Sequence, residues 1–463
     1  MNQTITNRKQ DRIADLIKQH SDRTKTSKQL SQTFRPFLAD KRLGFFKDFK
    51  ELSYQLVVNR SLGSKIWDVD GNEYIDCLMS FGSCLLGHNP PFIKKAIAEQ
   101  LELGIQVGTQ PEMVGEVAQL ICKMTGMERV AFSNTGTESV MTAIRLARTV
   151  TGRNKIAKFS GSYHGHFDGI LAKAQKENGN LQGVPIRPGI PQSMVEDVLV
   201  LDYGSPESLE IIKDRADELG AVLVEPVQTS NPGFQPKEFL QQLRELTEAS
   251  GIALIFDEMV TGFRIHQGGA QAWFGVEADI ATYGKIVGGG MPIGVIAGKA
   301  PYLDAIDGGM WSYGDESFPQ AKQTFFAGTY CKHPLALAAA RAVLQHLDTA
   351  GPALQQQLNQ RTAQFVGELN AIFAEEEVSI RMNHFASFFD FVFANAEDAV
   401  NDDKAKQLLF LYYNMMYKGI FLRGPGSFLS LGGFLSTAHT DADISYIKQT
   451  VRDSLILMRT EAS

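Results

Sequence analysis

The sequence has few cysteines, no long apolar run and no excess of positive charge. Its four cysteines, Cys77, Cys84, Cys122 and Cys331, show neither pairing nor metal-site spacing, so we expect reduced thiols, no metal site and a cytoplasmic protein. No segment is apolar enough for a signal peptide or a membrane span. A formal net charge of −7, without an extended basic stripe, argues against nucleic acid or an anionic membrane as a partner.

Length and patterning predict an α/β protein. The 463 residues, 44% hydrophobic and 21% charged, suffice for one large domain with a substantial core and a smaller one. A β-hairpin is predicted at 66–75, turning at Asp70 and Gly71. From about residue 91, helical stretches alternate with short buried strands, which favours a mostly parallel sheet. The predicted strands are 130–132, 155–158, 221–225 and 253–257.

The same pattern of predicted helices and strands divides the chain into a continuous large domain, 91–334, and a discontinuous small domain, 34–90 with 335–463. The polar stretch 1–33 is a linker, a docking arm or a frayed solvated helix. Two Gly/Pro-rich stretches, 178–191 and 307–319, are predicted as long loops. They are candidate lids, or surface insertions without a role.

The strongest chemical signal is a lysine and an aspartate. Asp257 ends the apolar run 253–256, which is typical of a buried parallel strand with its carboxylate at the edge where open α/β sheets bind ligands. Lys285 precedes a glycine cluster. The pair suits pyridoxal phosphate, because the amine can form a Schiff base with the cofactor aldehyde and the carboxylate can keep the pyridine nitrogen protonated. Taken alone, Lys285 is more simply a solvated lysine at a turn.

A candidate phosphate site precedes the helical stretch 139–150. Thr135, Gly136 and Thr137 follow a short apolar piece, and at a helix start they would offer backbone N–H groups, hydroxyls and the positive end of the helix dipole. An ordinary helix cap explains one of these hydroxyls. It does not explain the cluster.

Two further segments carry candidate ligand contacts. Tyr163 stands near glycines, where it can stack on a pyridine ring with His164 beside it; a packed tyrosine in a turn is the alternative. His166 is better interpreted as structural. Glu225 and Gln228 end another buried strand and would face the same crevice.

Together these segments resemble the class III pyridoxal-phosphate aminotransferases, in order and in spacing, from about Arg35 to the C-terminus. Within that family the chain is similar to glutamate-1-semialdehyde aminomutases and to the aminotransferase domains of polyketide and nonribosomal peptide synthetases. The insertion 312–319, leading into 324–329, and the upstream segments 27–30 and 35–40 favour the second group. The motifs are S-N-T-G-T-E at 133–138, Y-H-G-H at 163–166, E-P-V-Q at 225–228, D-E at 257–258, T-G-F-R at 261–264 and G-K at 284–285.

The resemblance implies a type I fold, an α/β architecture with pyridoxal 5'-phosphate bound in the large domain. Lys285 would hold the cofactor and shuttle a proton, Asp257 would pair with the pyridine nitrogen, and Tyr163 would stack on the ring. The segment 135–137 would hold the phosphate. Thr329 would reach that phosphate from the other subunit, which implies a homodimer; a helix cap before 333–336 is its alternative, and it can be both.

Two positions bear on the substrate. The carboxylate-binding arginine of the aminomutases falls on Phe46, unless Lys47 or Arg42 serves instead, and their active-site glutamate falls on Leu431. Loss of an arginine weakens the grip on a free carboxylate.

We therefore expect an aminotransferase that aminates a keto or aldehyde group, most concretely a β-keto acyl chain on an acyl carrier protein, with an amino acid as donor. The first alternative is a glutamate-1-semialdehyde 2,1-aminomutase. The second is a non-catalytic protein that binds pyridoxal phosphate, against which the presence of Lys285, Asp257 and Tyr163 argues.

Overall fold

The computed structural model describes residues 2–39, 46–177, 180–395, 397–398, 401–424 and 431–459. The chain divides into two compact units. The central unit is Pro91–Gln356, and the N/C unit is Met1–Pro90 together with Gln357–Ser463. The sequence-based domain boundaries, with their break between residues 334 and 335, stay a prediction.

Helices and strands alternate through the central unit, and two smaller sheets belong to the N/C unit. The helices are α1 Asn2–Arg23, α2 Lys25–Phe34, α3 Met79–Gly82, α4 Pro91–Leu103, α5 Val114–Thr125, α6 Gly136–Thr151, α7 Gln192–Val195, α8 Pro206–Asp214, α9 Lys237–Ser250, α10 Gly269–Phe274, α11 Ala300–Asp307, α12 Pro334–Ala350, α13 Ala353–Glu375, α14 Asp402–Tyr417 and α15 Asp441–Arg459. The strands are β1 Val58–Leu62, β2 Lys65–Asp68, β3 Glu73–Asp76, β4 Arg129–Ser133, β5 Lys155–Phe159, β6 Ala172–Glu177, β7 Asn180–Pro185, β8 Val198–Leu201, β9 Leu219–Val224, β10 Ala253–Asp257, β11 Ile280–Tyr283, β12 Gly294–Gly298, β13 Ile380–Phe385, β14 Phe388–Phe393, β15 Ile420–Phe421 and β16 Leu431–Phe434.

The central unit is built on a seven-stranded sheet in the order β4-β12-β11-β10-β9-β5-β8. The strands from β11 to β8 run parallel, and β12 runs antiparallel to both of its neighbours. Every residue of β9, β10 and β11 is buried, as expected for parallel strands covered on both faces. The predicted α/β class and mostly parallel sheet are confirmed.

Helix α6 covers one face of this sheet with its apolar side. Val140, Ile144 and Ala147 are buried in one cluster with Leu223 of β9 and Ile255 of β10. Burying a side chain of the size of Val, Leu or Ile stabilises the fold by roughly 1.5–3 kcal/mol. This packing fixes the start of α6 beside the carboxyl edge of the sheet.

The N/C unit contains the sheets β1-β2-β3-β15 and β13-β14-β16. The predicted hairpin is confirmed, because β2 and β3 pair antiparallel around Asp70 and Gly71. The N-terminal helices are an integral part of this unit. Thr24 and Ser27 are fully buried, and the Thr26 amide donates to Asp70 Oδ1 at 2.9 Å. For residues 12–33, the interpretation as a frayed solvated helix is therefore wrong.

One of the two predicted loops contains a strand. β6 and β7 pair antiparallel, and β7 occupies the first part of the stretch 178–191, whose residues 178 and 179 lie outside the described ranges. The stretch 308–319 has no helix or strand, and Tyr313 and Phe318 are exposed there. Across the described ranges, no helix combines the length and apolarity needed to cross a membrane. The same residues hold no cluster of side chains suited to a metal ion.

Candidate active site

Four polar residues follow four neighbouring strands of the central sheet. Asp257 is the last residue of β10, Glu225 comes directly after β9, and Lys285 comes two residues after β11. His164 lies in the loop after β5. Since the carboxyl ends of parallel strands meet at one edge, the strand order β11-β10-β9-β5 brings these side chains together.

The Asp257 carboxylate is buried and held from two sides. Its Oδ2 lies 2.8 Å from His164 Nδ1. Its Oδ1 accepts hydrogen bonds from the Met259 amide at 3.2 Å and from the Thr282 hydroxyl at 3.4 Å. His164 is buried as well, and its Nε2 atom has no hydrogen-bond partner among the described residues. The contacts fix the direction of the carboxylate, and they leave one ring nitrogen free.

Lys285 is half-buried, and its backbone has φ +28°, a left-handed value that costs energy for a side-chain-bearing residue. Burial lowers the pKa of its amine, and the nearby charge of Arg264 acts in the same direction, against the carboxylates of Asp257 and Glu225. Within the described ranges, no hydrogen bond or ion pair engages the Lys285 Nζ atom. A lowered pKa favours the neutral amine, which is the nucleophilic form.

Two glycines allow backbone to approach the side chain of Met259. A Cβ added at Gly284 would lie 2.8 Å from the Met259 sulfur, and one added at Gly136 would lie 2.9 Å from it. The same methionine therefore packs against the residue before Lys285 and against the start of α6. This contact places the segment 135–137 beside the lysine.

Helix α6 begins with an N-cap at Thr135, whose Oγ1 accepts a hydrogen bond from the Glu138 amide at 3.2 Å. The first helical backbone bond runs from Ser139 N to Thr135 O, at 3.1 Å. The amides of Gly136 and Thr137 therefore precede the intrahelical bonds and point toward the helix start. The ordinary cap accounts for Thr135 alone, so two amides remain available for an anion.

Glu225 and Gln228 hold the loop that carries Tyr163. Glu225 Oε2 accepts a hydrogen bond from the Tyr163 amide at 3.2 Å, and Gln228 Nε2 donates to the Ser160 carbonyl at 2.8 Å. Burial raises the pKa of Glu225. The Tyr163 side chain itself is 69% exposed. Glu225 and Gln228 thus position this loop, a role that the sequence did not predict.

Thr329 is exposed in a turn before α12, whose N-cap is His333. The interpretation of Thr329 as the cap of this helix is therefore wrong. In the N/C unit, Phe46 is half-buried before the 3-10 helix Lys47–Leu52, and Leu431 is fully buried in β16. Of the two alternative anchors, Lys47 is exposed and Arg42 lies outside the described residues. A role of Phe46 and Leu431 in substrate binding stays a prediction.

Sequence reasoning missed two contributors to the site. Arg264 is fully buried, and its charge acts on the Lys285 amine. Thr282 donates to Asp257 from the neighbouring strand. A polar residue near the end of an apolar strand was the available signal for Thr282, and it is the same signal that identified Asp257.

Comparison with known proteins decides the family. Residues 48–404 match the family described as "Aminotransferase class-III". The chain belongs to the class III aminotransferases. A glutamate-1-semialdehyde 2,1-aminomutase 2 from Bacillus licheniformis is 38% identical to it over 400 residues, which cover 84% of this chain and 88% of that protein.

Solved structures of two transaminases have the same fold. An omega-transaminase from Sphaerobacter thermophilus has a TM-score of 0.82 and 27% identity, covering 93% of this chain and 97% of that one. A transaminase solved with pyridoxal phosphate bound has a TM-score of 0.81 and 29% identity, covering 95% and 99%. The class III member described here therefore has the type I fold, is a pyridoxal-phosphate enzyme and uses pyridoxal 5'-phosphate as its cofactor.

Proposed function

We propose that this enzyme transfers an amino group at an aldehyde or ketone carbon and that Lys285, Asp257 and His164 form the centre of its active site. The observation that carries this proposal is that the ends of β11 and β10 meet the loop after β5 at one edge of the sheet. A half-buried lysine amine without a partner in the described ranges is placed there near a carboxylate that His164 holds at 2.8 Å.

The residues present fit the cofactor. The amides of Gly136 and Thr137 at the start of α6 suit a phosphate, and the Thr135 and Thr137 hydroxyls lie beside them. Tyr163 is exposed and free to cover one face of a flat ring. Asp257 would hold a proton on the ring nitrogen.

When bound, pyridoxal phosphate draws off electrons from a substrate carbanion. The Lys285 amine would then move the proton at the substrate carbon next to the nitrogen, because its lowered pKa leaves part of it neutral. His164 positions Asp257, and Glu225 with Gln228 positions the Tyr163 loop. Thr329 would contact the phosphate from a second copy of the chain, so the functional form is a homodimer. The amino donor is an amino acid.

For the substrate, the first candidate is a short amino aldehyde of the glutamate-1-semialdehyde type, rearranged by an aminomutase reaction. The support is the relatives: an aminomutase from Desulfitobacterium hafniense is 37% identical over 86% of the chain, beside the one from Bacillus licheniformis. These comparisons favour the aminomutase alternative over the expected carrier-bound substrate, and they lend no support to a polyketide or nonribosomal peptide pathway.

The second candidate is a β-keto acyl chain held on a carrier protein. It is favoured by Phe46, which stands where a carboxylate-binding arginine is expected, and by the exposed aromatic side chains of 311–318. Each buried methylene of an acyl chain contributes roughly 0.8 kcal/mol, so a few of them could replace an ion pair. Leu431 is a weaker argument, because its side chain is fully buried and would have to shift to meet a substrate.

A substrate comparison decides between the candidates. The aminated form of the enzyme is given glutamate semialdehyde, a fatty aldehyde and a carrier-bound β-keto acyl chain separately, and product is identified by mass spectrometry. We expect conversion of glutamate semialdehyde to 5-aminolevulinate. Preference for the acyl substrates would establish the second candidate, and no amino transfer with any donor and acceptor would refute the proposed function.

Phe46→Arg serves as the matched variant in this comparison. If Phe46 stands in the carboxylate-binding position, the added guanidinium lowers KM for glutamate semialdehyde and leaves the fatty aldehyde unaffected. Equal effects on KM for both substrates would show that Phe46 does not stand in the carboxylate-binding position. Lys47→Ala tests the alternative anchor, because a raised KM for glutamate semialdehyde in this variant would assign the carboxylate to Lys47.

A further inference from the structure

A second cluster of titratable side chains lies in the N/C unit and takes no part in the proposed reaction. Cys84 Sγ is 3.8 Å from His88 Nδ1, and His88 Nε2 is 2.7 Å from Asp76 Oδ2. A cysteine beside an imidazole that is oriented by a carboxylate is an arrangement that holds the thiol as its thiolate. Cys84 is half-buried, so small molecules can reach it.

The backbone around this cluster is strained. Met79, Ser80 and Phe81 have φ values of +46°, +53° and +56°, a left-handed run that side-chain-bearing residues rarely adopt. The first residue of the run is held twice: Asp76 Oδ1 accepts from the Met79 amide at 3.1 Å, and the Cys84 amide donates to the Met79 carbonyl at 3.2 Å. Asp76 thus fixes both the imidazole and the turn that presents the thiol.

Hydrogen bonds to the Cys84 sulfur lower the pKa of this thiol by more than burial raises it. Burial would raise the pKa of Cys84, but hydrogen bonds from His88, Ser80 and Ser83 bring it below the ordinary value. Burial also opposes the charged imidazole, whereas hydrogen bonds to Asp76 and Cys84 raise the pKa of His88 to about 9. The charged groups that act on this pair are therefore each other and Asp76. These contacts shift the pair toward thiolate with imidazolium.

The other three cysteines provide internal controls. Cys77 lies 3.9 Å from His439 Nε2, but burial raises the pKa of Cys77 and lowers that of His439 to about 4, so this imidazole is neutral. Burial likewise raises the pKa of Cys122 and Cys331. All four thiols lie in described ranges, and Cys84 is the one whose pKa is lowered.

We propose that Cys84 is a modification site at which hydrogen peroxide oxidises the thiolate to a sulfenic acid, with His88 as proton donor and Asp76 as its orienting partner. The sulfur attacks one peroxide oxygen, and an S–O bond forms as the O–O bond breaks. Sulfur loses two electrons to the peroxide. The departing hydroxide takes the Nδ1 proton of His88 and leaves as water.

The first test measures thiol reactivity in the wild-type enzyme with cofactor bound. Short exposure to iodoacetamide, followed by digestion and mass spectrometry, gives a separate alkylation rate for each cysteine. The Cys84 rate is expected to rise less steeply between about pH 6 and about pH 8 than the rates of Cys122 and Cys331, which rise about tenfold per pH unit. A Cys84 rate that rises in parallel with theirs would overturn the proposal.

The second test uses peroxide and a sulfenic-acid probe, dimedone. We expect label at Cys84, little at Cys122 or Cys331, and at least about a tenfold loss of Cys84 labelling in His88→Asn. His346→Asn, which replaces a half-buried histidine that stacks on Phe92, is the matched control and should label as wild type. Unchanged labelling in His88→Asn, or equal labelling of all the accessible cysteines, contradicts the proposal. If His88→Asn does not fold, the wild-type pH profile decides the question.

Discussion

His164 Nδ1 lies 2.8 Å from Asp257 Oδ2, although the two residues belong to different strand–loop segments of the central unit. The contact is buried on both sides, and it gives the carboxylate one fixed direction at the end of β10. An adjacent carboxylate, Glu258, points elsewhere: it accepts hydrogen bonds from the Ala270 and Gln271 amides at the start of α10. Asp257 and Glu258 are adjacent in the sequence, but their carboxylates have different partners.

We predict that Asp257→Asn folds but loses about 100-fold or more of kcat, because a neutral amide no longer stabilises the charge that the reaction needs on the cofactor nitrogen. Glu258→Gln is the matched control, with the same change from carboxyl to amide one residue away, and should keep its activity within a few fold. Steady-state kinetics with thermal unfolding of both variants checks this. Equal activity losses in the two variants would argue against a special role of Asp257.

Glu258 should instead influence how stability depends on pH. Burial raises the pKa of Glu258 from 4.5 to about 7, despite three hydrogen-bond donors around it. Between these two values the folded state binds a proton that the unfolded state has released, so the group's contribution to stability is present below about pH 4.5 and is lost as pH rises through 7. The whole effect is on the order of 3 kcal/mol at most.

We therefore expect Glu258→Gln to flatten the fall of unfolding free energy between about pH 5 and about pH 7, relative to wild type. Urea unfolding at a series of pH values measures it, with Asp257→Asn as the comparison variant. If the pH dependence of Glu258→Gln parallels that of wild type, Glu258 is already ionised across this range.

The sequence predicted four of the seven strands of the central sheet, because β4, β5, β9 and β10 contain short apolar runs. Asp257 and Glu225 were found as polar residues at the ends of such runs, whereas Lys285 was found from its place before a glycine cluster. The contact between His164 and Asp257 could not be found, since it depends on the order of strands in the sheet and not on local pattern. The position of Thr135 at the start of α6 was visible, because hydroxyl residues before a helix are a local signal.

In other parts of the chain, the local sequence pattern led to wrong predictions or gave no signal. β7 contains Gly183 and Pro185 and lies in the stretch predicted as a loop, yet it pairs with β6 over its whole length. The first helices were too polar to predict a packed role, and their burial rests on a few contacts such as the one between Thr24 and Tyr54. The left-handed run at 79–81 lacks glycine at the strained positions, so no sequence rule indicates it.

Lys285→Ala should abolish amino transfer while leaving the fold intact. The amine is the group that we propose bonds to the cofactor and carries the proton, and an alanine methyl can do neither. Cofactor should still bind through the α6 start and Asp257, but without the visible absorbance that depends on the bond to Lys285. Lys155→Ala, a half-buried lysine of β5 paired with Glu218, is the control. Turnover by Lys285→Ala at more than about one hundredth of the wild-type rate would remove the central proposal.

The proposed homodimer predicts complementation between two inactive chains. Thr329→Glu places a negative charge where we expect the phosphate of the other subunit, and this should repel the cofactor and lower activity strongly. In a hybrid with Lys285→Ala, one site carries both defects and the other carries neither. Co-expressed variants should therefore regain up to about a quarter of wild-type activity, because half of the dimers are hybrids with one intact site.

Thr349→Glu controls for the added charge, since Thr349 is exposed near the end of α12 and its hydroxyl donates to the Gln345 carbonyl of its own helix. This variant should be active alone, and pairing it with Lys285→Ala should give no more than the activity of its own chains. Differential tags allow the hybrid to be purified and its mass measured. A fully active monomer, or a purified hybrid of Thr329→Glu with Lys285→Ala that has no activity, would show that Thr329 does not complete the site of a second subunit.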